Sequence, residues 1–501
     1  MATFSHKTLL HILLSLLVLW VGYFVWRGHW VGDFFDHWSV LRELVKRPWN
    51  PLHPVLGIEL PHAFFSPYMV LLGAIGHATG LSAFGLLSAI SMLNLLLLIW
   101  GGKMLIDRFY PDGGARFYLR FLLLSLLAWG GEAWFWSSFY HLKVLPNILP
   151  YPATFAFVCS IFSWQMWVWT KEKAIIWGFP AIGLAAVSLL AHPTTYMFFG
   201  GLMLSEWIYS GQKGKDLLQS LIAVMAPIFI VGAWPYFPFW ELILGEGMSS
   251  EGAIGGSRFH QDSLDLYKHL LWRCLPFLVL PIIRKKYPIP HFILWPSLIS
   301  IGIYTTAFFL GKWGFGRLIS FVFIWFHVYL VGTSLLDIKT FWPFQPSKGS
   351  SYAYLLLMGC MALNLFSPAG LFPSFLSSLE SKPPFYQQWA FLEKYEGERI
   401  MVDTDALPYV NAFGPYTQAT TQPPYWVKDI ERRLIDTETF FKEEVTMQKR
   451  MKIVKRYQIR WVLIHQSIHA DIDLSSDWKV KEKEGAYILY EVEVQLPTDQ
   501  R

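Results

Sequence analysis

Along most of this chain the apolar residues come in long unbroken runs, and short polar clusters separate one run from the next. Neither the two-residue alternation of a half-buried strand nor the one-faced stripe of a soluble helix is visible there. The runs lie at residues 9–26, 82–100, 117–136, 153–170, 174–191, 195–210, 217–234, 267–283, 291–310, 318–336 and 352–366. Each is near the length that carries a helix across a hydrocarbon core about 30 Å thick. The pattern predicts a mainly α, polytopic membrane core of about eleven spanning helices. The first run follows Lys7, lacks a small-residue cleavage site and continues into Arg27, His29 and Trp30, so it reads as a span and not a signal peptide. One further apolar stretch, 64–80, contains Pro67, Gly73, Gly76, His77 and Gly80 and reads as an interfacial or re-entrant helix that does not cross.

Beyond Leu371 the pattern changes. Residues 399–403 and 459–464 read as short buried strands, and 430–457 as one or two amphipathic helices. Residues 478–492 alternate about a Glu484-Gly485 turn and read as a hairpin. A small α/β domain over 376–501 therefore follows a membrane domain over 1–375.

Composition sharpens this division. Only 15% of the 501 residues are charged, against roughly 25% in soluble domains, and mean hydropathy is +0.36. Most of the chain therefore does not face water. The net charge of +5 comes from basic residues at run ends and forms no stripe of the kind that tracks nucleic acid. Cys159, Cys274 and Cys360 are far apart in apolar runs, which suits core residues and suits neither a disulfide framework nor a zinc site.

Charge also orients the chain. With a cytoplasmic N-terminus, Lys103, Arg108, Arg116, Lys171, Lys173, Lys213, Lys215, Arg284, Lys285, Lys286, Lys339 and Lys348 all fall on the cytoplasmic side. The longer loops and the C-terminal domain then lie outside the cell's inner (plasma) membrane. The agreement requires that 64–80 does not span.

The segment after the first run, Gly32-Asp33-Phe34-Phe35-Asp36-His37-Trp38, followed by Arg42-Glu43-Leu44 and Trp49, carries the chemistry. A carboxylate just outside a spanning helix can take the proton of an attacking hydroxyl; two solvated acids on an interfacial helix is the alternative. The segment resembles the first outer loop of the glycosyltransferase-C superfamily, in particular its aminoarabinose-transferase branch and the protein O-mannosyltransferases. In that branch an Asp-Glu pair is followed nine residues later by an Arg-Glu-Met-like triplet, then a Trp and a Pro-Pro-Leu-like stretch. Here Asp33 is followed nine residues on by Arg42-Glu43-Leu44, then Trp49 and Ser66-Pro67-Tyr68, while Phe34 replaces the family's second acid. The resemblance implies an integral-membrane transferase that moves a sugar from a polyprenyl-phosphate carrier to an extracytoplasmic lipid, polysaccharide or protein, inverting the anomeric carbon. It implies Asp33 as base, with Asp36 in support and His37 beside them as a substrate contact.

Other polar groups gather on the same side. Glu132, within Trp129-Gly130-Gly131-Glu132-Ala133-Trp134, is a candidate second acid or an interfacial residue of an aromatic belt. His192, before Pro193, is a candidate for a phosphate or sugar hydroxyl, or a helix cap. Lys312 and Arg317 flank a tight outer turn and Arg273 lies inside an apolar run; these cations suit a phosphate, the alternative being snorkelling to headgroups. A divalent metal is compatible with the chemistry, as in oligosaccharyltransferases, but the sequence holds no clear ligand cluster. Asp403 and Asp405 resemble the Asp-x-Asp of nucleotide-sugar enzymes and read as turn chemistry. A transporter or flippase of lipid-linked saccharide is the rival reading. It predicts internal repeats and ionisable residues at helix centres, and neither is evident. A scaffold with a polymer-binding outer domain leaves the many helices unexplained.

Overall fold

Helices occupy every predicted run in the computed structural model. It describes residues 5–28, 30–130, 134, 136–172, 174–211, 214–244, 264–333, 335, 348–367, 370–378, 385–420, 425–469, 472, 474 and 478–492. The N-terminal helices are α1 (His6–Arg27), α2 (Phe34–Lys46), α3 (Pro67–Thr79), α4 (Ala83–Phe109) and α5 (Gly114–Leu127). Pro152–Glu172, Gly178–Ala191, Pro193–Tyr209, Gly214–Ile230, His291–Phe309, Ile319–Val331 and Lys348–Phe366 follow. Among the described residues, six stretches are long and apolar enough to cross a membrane: His6–Arg27, Ala83–Phe109, Gly214–Ala233, His291–Phe309, Trp313–Val331 and Tyr352–Pro373. The protein is a multi-pass membrane protein, and its helices at the other predicted runs are shorter or less apolar than that standard. Large apolar side chains such as Leu19, Leu96, Phe229, Trp295 and Phe309 point outward, as helices facing lipid require and water would not tolerate over so large an area.

Two predicted spans are not continuous helices. The third stops at Leu127 and not at Trp136, because Gly130 takes φ +107, which no continuing helix can hold. A side chain there would also collide with the Arg273 carbonyl oxygen, which lies 2.0 Å from the place a Cβ would take. The eighth, 267–283, is broken into Leu270–Arg273, a 3-10 turn at Leu275–Val279 and Leu280–Ile283. Pro276 and Pro281 remove backbone donors and interrupt the helical ladder there.

The chain divides into two compact units. One comprises Met1–His29, Ser88–Ala233 and Asp262–Lys382 and holds most of the apolar helices. Ile319–Val331 is buried along its whole length, the expected place for a helix apolar on every side. The Arg120 guanidinium donates to the carbonyls of Val331 (3.2 Å) and Thr333 (3.0 Å), satisfying acceptors that the end of this helix leaves open. Arg108 is held between Glu206 and Glu172.

The other unit comprises Trp30–Leu87, Trp234–Gln261 and Pro383–Arg501, so the C-terminal sheet shares a unit with the segment after α1. Its five strands, β1 (Arg399–Met401), β2 (Tyr416–Thr417), β3 (Trp461–His465), β4 (Lys479–Glu484) and β5 (Tyr487–Glu491), run in the order β2-β1-β3-β5-β4. β1 is parallel to β2 and β3, and β3 is antiparallel to β5. The predicted hairpin forms about Gly485, at φ +56. Two helices, Ile430–Phe440 and Met447–Tyr457, fill the predicted helical stretch. They cover a core that includes Met401, Val454, Val462 and Tyr490.

The stretch at 64–80 is α3, whose 13 residues span about 20 Å at 1.5 Å per residue, too short to cross. It packs on α2 through glycine: a Cβ at Gly73 would sit 2.5 Å from Leu44 Cβ and 3.0 Å from its carbonyl carbon. Only a residue without a side chain lets the two backbones approach so closely.

Candidate functional site

The first unit gathers the cations around one aromatic loop. The Arg317 guanidinium carbon lies 5.2 Å from the Trp136 ring centroid, and that of Arg273 lies 4.4 Å from Trp134, two residues earlier. Each pair is a cation–π contact, which the electron-rich indole face favours. The loop is itself stiffened: Trp134 stacks on Phe139 at 4.7 Å and donates its indole N–H to the Trp129 carbonyl at 3.0 Å.

Arg317 and His192 are brought together, with Nη1 2.7 Å from Nε2. Nδ1 of His192 accepts the Thr195 backbone N–H at 3.2 Å in the capping position, and the Thr195 hydroxyl lies 2.7 Å from the same nitrogen. His192 is the N-cap of Pro193–Tyr209, with Pro193 in the first turn, so the helix-cap role is realised and the ring still meets the cation.

Arg273 is buried at 5% exposure and does not turn outward to snorkel. It donates to the Asp265 carbonyl at 2.8 Å and lies 3.4 Å from the Asp265 carboxylate, while its Nε has no acceptor among the described residues. Lys312 is exposed, just before the turn at Trp313–Leu318. Glu132 lies outside the described residues. Among the described residues no three His, Cys, Asp or Glu side chains form a group that could hold a metal ion.

The second unit carries the carboxylates. Asp33 occupies the N-cap position of α2 and is exposed, whereas Asp36 and His37, in the first turn, are buried. Phe35 and Trp38 turn to the C-terminal domain, with ring centroids 5.0 Å from Tyr409 and 4.8 Å from Phe413. Further along α2, Glu43 accepts the Tyr416 hydroxyl at 2.8 Å and the Leu52 amide at 3.0 Å, and Arg42 donates to the Gly414 carbonyl at 2.8 Å. The Arg-Glu-Leu triplet thus ties the segment after α1 to the C-terminal sheet.

Three buried histidines accompany α2. His53 and His62 meet at 4.8 Å between ring centroids, and His37 packs on Phe64. His53 Nδ1 accepts the Val55 and Leu56 amides and His62 Nδ1 accepts that of Phe64. Burial holds His37 and His62 at about 3, with His62 adding to the effect on His37. His53 is held well below the ordinary range by burial, then by His62 and Arg433. All three are neutral at physiological pH.

No family model and no curated protein sequence matches the chain. The crystal structure of ArnT from Cupriavidus metallidurans in the apo state does match. The identity is 13% and the TM-score 0.52, over 97% of this chain and 98% of that one. The apo oligosaccharyltransferase of Archaeoglobus fulgidus aligns at 11% identity and TM-score 0.49, over 92% of this chain and 70% of that one. The chain shares the fold of ArnT over nearly the whole of both chains.

Of the residues singled out in the sequence, this fold joins Arg317 to His192 and sets Arg273 on the same tryptophan loop. It places Asp33, Asp36 and His37 on one short helix. Asp403, by contrast, accepts the amides of Asp405 (3.1 Å) and Ala406 (3.0 Å), so the Asp-x-Asp is turn chemistry, as expected. Sequence reading missed Trp134 and Trp136 as seats for the guanidinium groups, Thr195 as partner of His192, and the histidines at 53 and 62. Only the density of Trp around Glu132 hinted at the first.

Proposed function

We propose that this protein is an integral-membrane glycosyltransferase that moves a sugar from a polyprenyl-phosphate carrier to an extracytoplasmic lipid, glycan or protein acceptor. The reading rests on the likeness of fold to ArnT over nearly the whole of both chains. Supporting it, the chain presents cations on a stiff aromatic loop and carboxylates on a short helix after the first span. In this reading the N-terminus is cytoplasmic and the C-terminal domain lies outside the inner membrane.

The acceptor hydroxyl attacks the anomeric carbon on the face opposite the phosphate and gives its proton to Asp33. The bond from that carbon to the phosphate oxygen breaks, and the configuration inverts. Asp36 supports that base, and His37 contacts the substrate. Arg317, held by His192, takes the phosphate oxygens in a planar fork, with Arg273 and Lys312 adding positive charge. The leaving group already carries its own charge, so one base and fixed cations suffice. Membranes containing the protein, given a labelled polyprenyl-phosphate sugar and an extract of envelope acceptors, should release unlabelled carrier and label the acceptor. Transbilayer movement of the label without turnover would identify a flippase instead and refute the proposal.

A further inference from the structure

The triplet Arg42-Glu43-Leu44 takes no part in the chemistry just described, yet it is among the most firmly held pieces of the second unit. Glu43 is 2% exposed, and both carboxylate oxygens are used, Oε2 by the Tyr416 hydroxyl and Oε1 by the Leu52 amide. The Tyr416 ring packs against Gly57, where a Cβ would come within 2.4 Å of it. The next residue, Thr417, donates its amide to the Val55 carbonyl at 2.8 Å, so the segment after α1 is hydrogen-bonded to the sheet at its β2 edge. Arg42 grips the Gly414 carbonyl two residues before Tyr416. Around these polar contacts Val55 and Leu56 pack with Val427 and Ile430.

A buried carboxylate that accepts two directed hydrogen bonds resists rotation in a way that apolar contact does not, since turning the helix strands the charge without donors. Glu43 lies seven residues after Asp36, nearly two full turns, so the two share one face of α2. A side-chain carboxylate sits about 6 Å from its helix axis, and turning the helix by about 20° would move Asp36 by about 2 Å. Catalytic groups must be held within about 0.5 Å, and a 1 Å error can cost about 100-fold in rate.

We infer that Arg42, Glu43 and Tyr416 are positioning residues: they lock the rotation of α2 against the C-terminal sheet, so that the C-terminal domain sets where Asp33 and Asp36 stand. This rests on the transferase reading for its effect on rate, but not for its effect on the helix. The test uses full-length protein in membranes, with Tyr416→Phe, Glu43→Gln and Glu43→Leu. Phe removes only the hydroxyl, and Gln keeps an acceptor oxygen. Amide hydrogen exchange over residues 34–46 should quicken at least tenfold in Tyr416→Phe and Glu43→Leu. It should stay near the parent rate in Glu43→Gln. With labelled donor, kcat should fall at least tenfold in the first two variants at unchanged donor KM, with partial rescue by Gln. The pH profile of the remaining activity should keep the parent's shape, because the base itself is intact. Unchanged exchange over 34–46 overturns the inference, and so does a loss confined to donor KM. If the parent shows no transfer at all but exchange quickens as stated, the lock stands and the transferase reading falls.

Discussion

Lowering the pH should loosen the second unit, and the buried histidines say by how much. In the unfolded chain an imidazole binds a proton near pH 6.5, whereas burial holds His37 and His62 at about 3 in the folded protein. Between those values the unfolded state binds more protons, so stability is complete above about pH 6.5 and is lost as the pH falls toward 3. At pH 5 each histidine should cost on the order of 2 kcal/mol, from about 1.4 kcal/mol per pH unit over about 1.5 units. His37 and His62 together then cost on the order of 4 kcal/mol, with His53 adding in the same direction. That is a large share of the roughly 5–15 kcal/mol that holds a domain together. The assay is thermal unfolding and proteolysis of purified protein in a detergent whose micelles do not change between pH 7.5 and pH 5. Cleavage sites within 30–87 and 383–492 should open at the lower pH before those in the apolar helices. His62→Asn keeps an acceptor for the Phe64 amide but cannot titrate, and it should remove about 2 kcal/mol of the pH dependence. Equal resistance of these segments at the two pH values, or an unchanged slope in His62→Asn, would refute the reasoning.

Three further outcomes are expected. Asp33→Asn keeps the shape of the side chain but cannot accept a proton, so turnover should fall by about 10²–10⁴ with folding unchanged; parental turnover, measured with acceptor saturating, would reassign the base. Arg317→Ala should weaken donor use by roughly 1.5–3 kcal/mol, the worth of a charge-assisted hydrogen bond, and Arg317→Lys should recover only part of it, because the charge remains but the fork is lost. Donor titrations that do not differ among the three proteins would leave Arg317 a structural partner of His192. Gly73→Val should cost about 1–3 kcal/mol by overpacking α3 on Leu44, and an unshifted melting temperature would mean that the two helices do not approach so closely.

The amino-acid sequence alone determined the membrane character, because a run of apolar residues near the bilayer's thickness has few other places to go. It also pointed to the non-spanning α3, through the proline and glycines of 64–80, and to β1, β3 and the β4–β5 hairpin, through short apolar runs and alternation about a glycine turn. It singled out Asp33, Arg317 and His192 one at a time, from residue type and place. Tertiary structure decided which of these meet. Arg317 and His192 are 125 residues apart, and Glu43 and Tyr416 are 373 apart. No periodicity reports contacts of that range, because periodicity records which face of an element is apolar and not what covers it. For the same reason the place of the segment after α1 against the sheet edge could not be read in advance. Val55 and Thr417 join through backbone groups, which every residue carries alike, so the bond leaves no mark in the side chains that encode it.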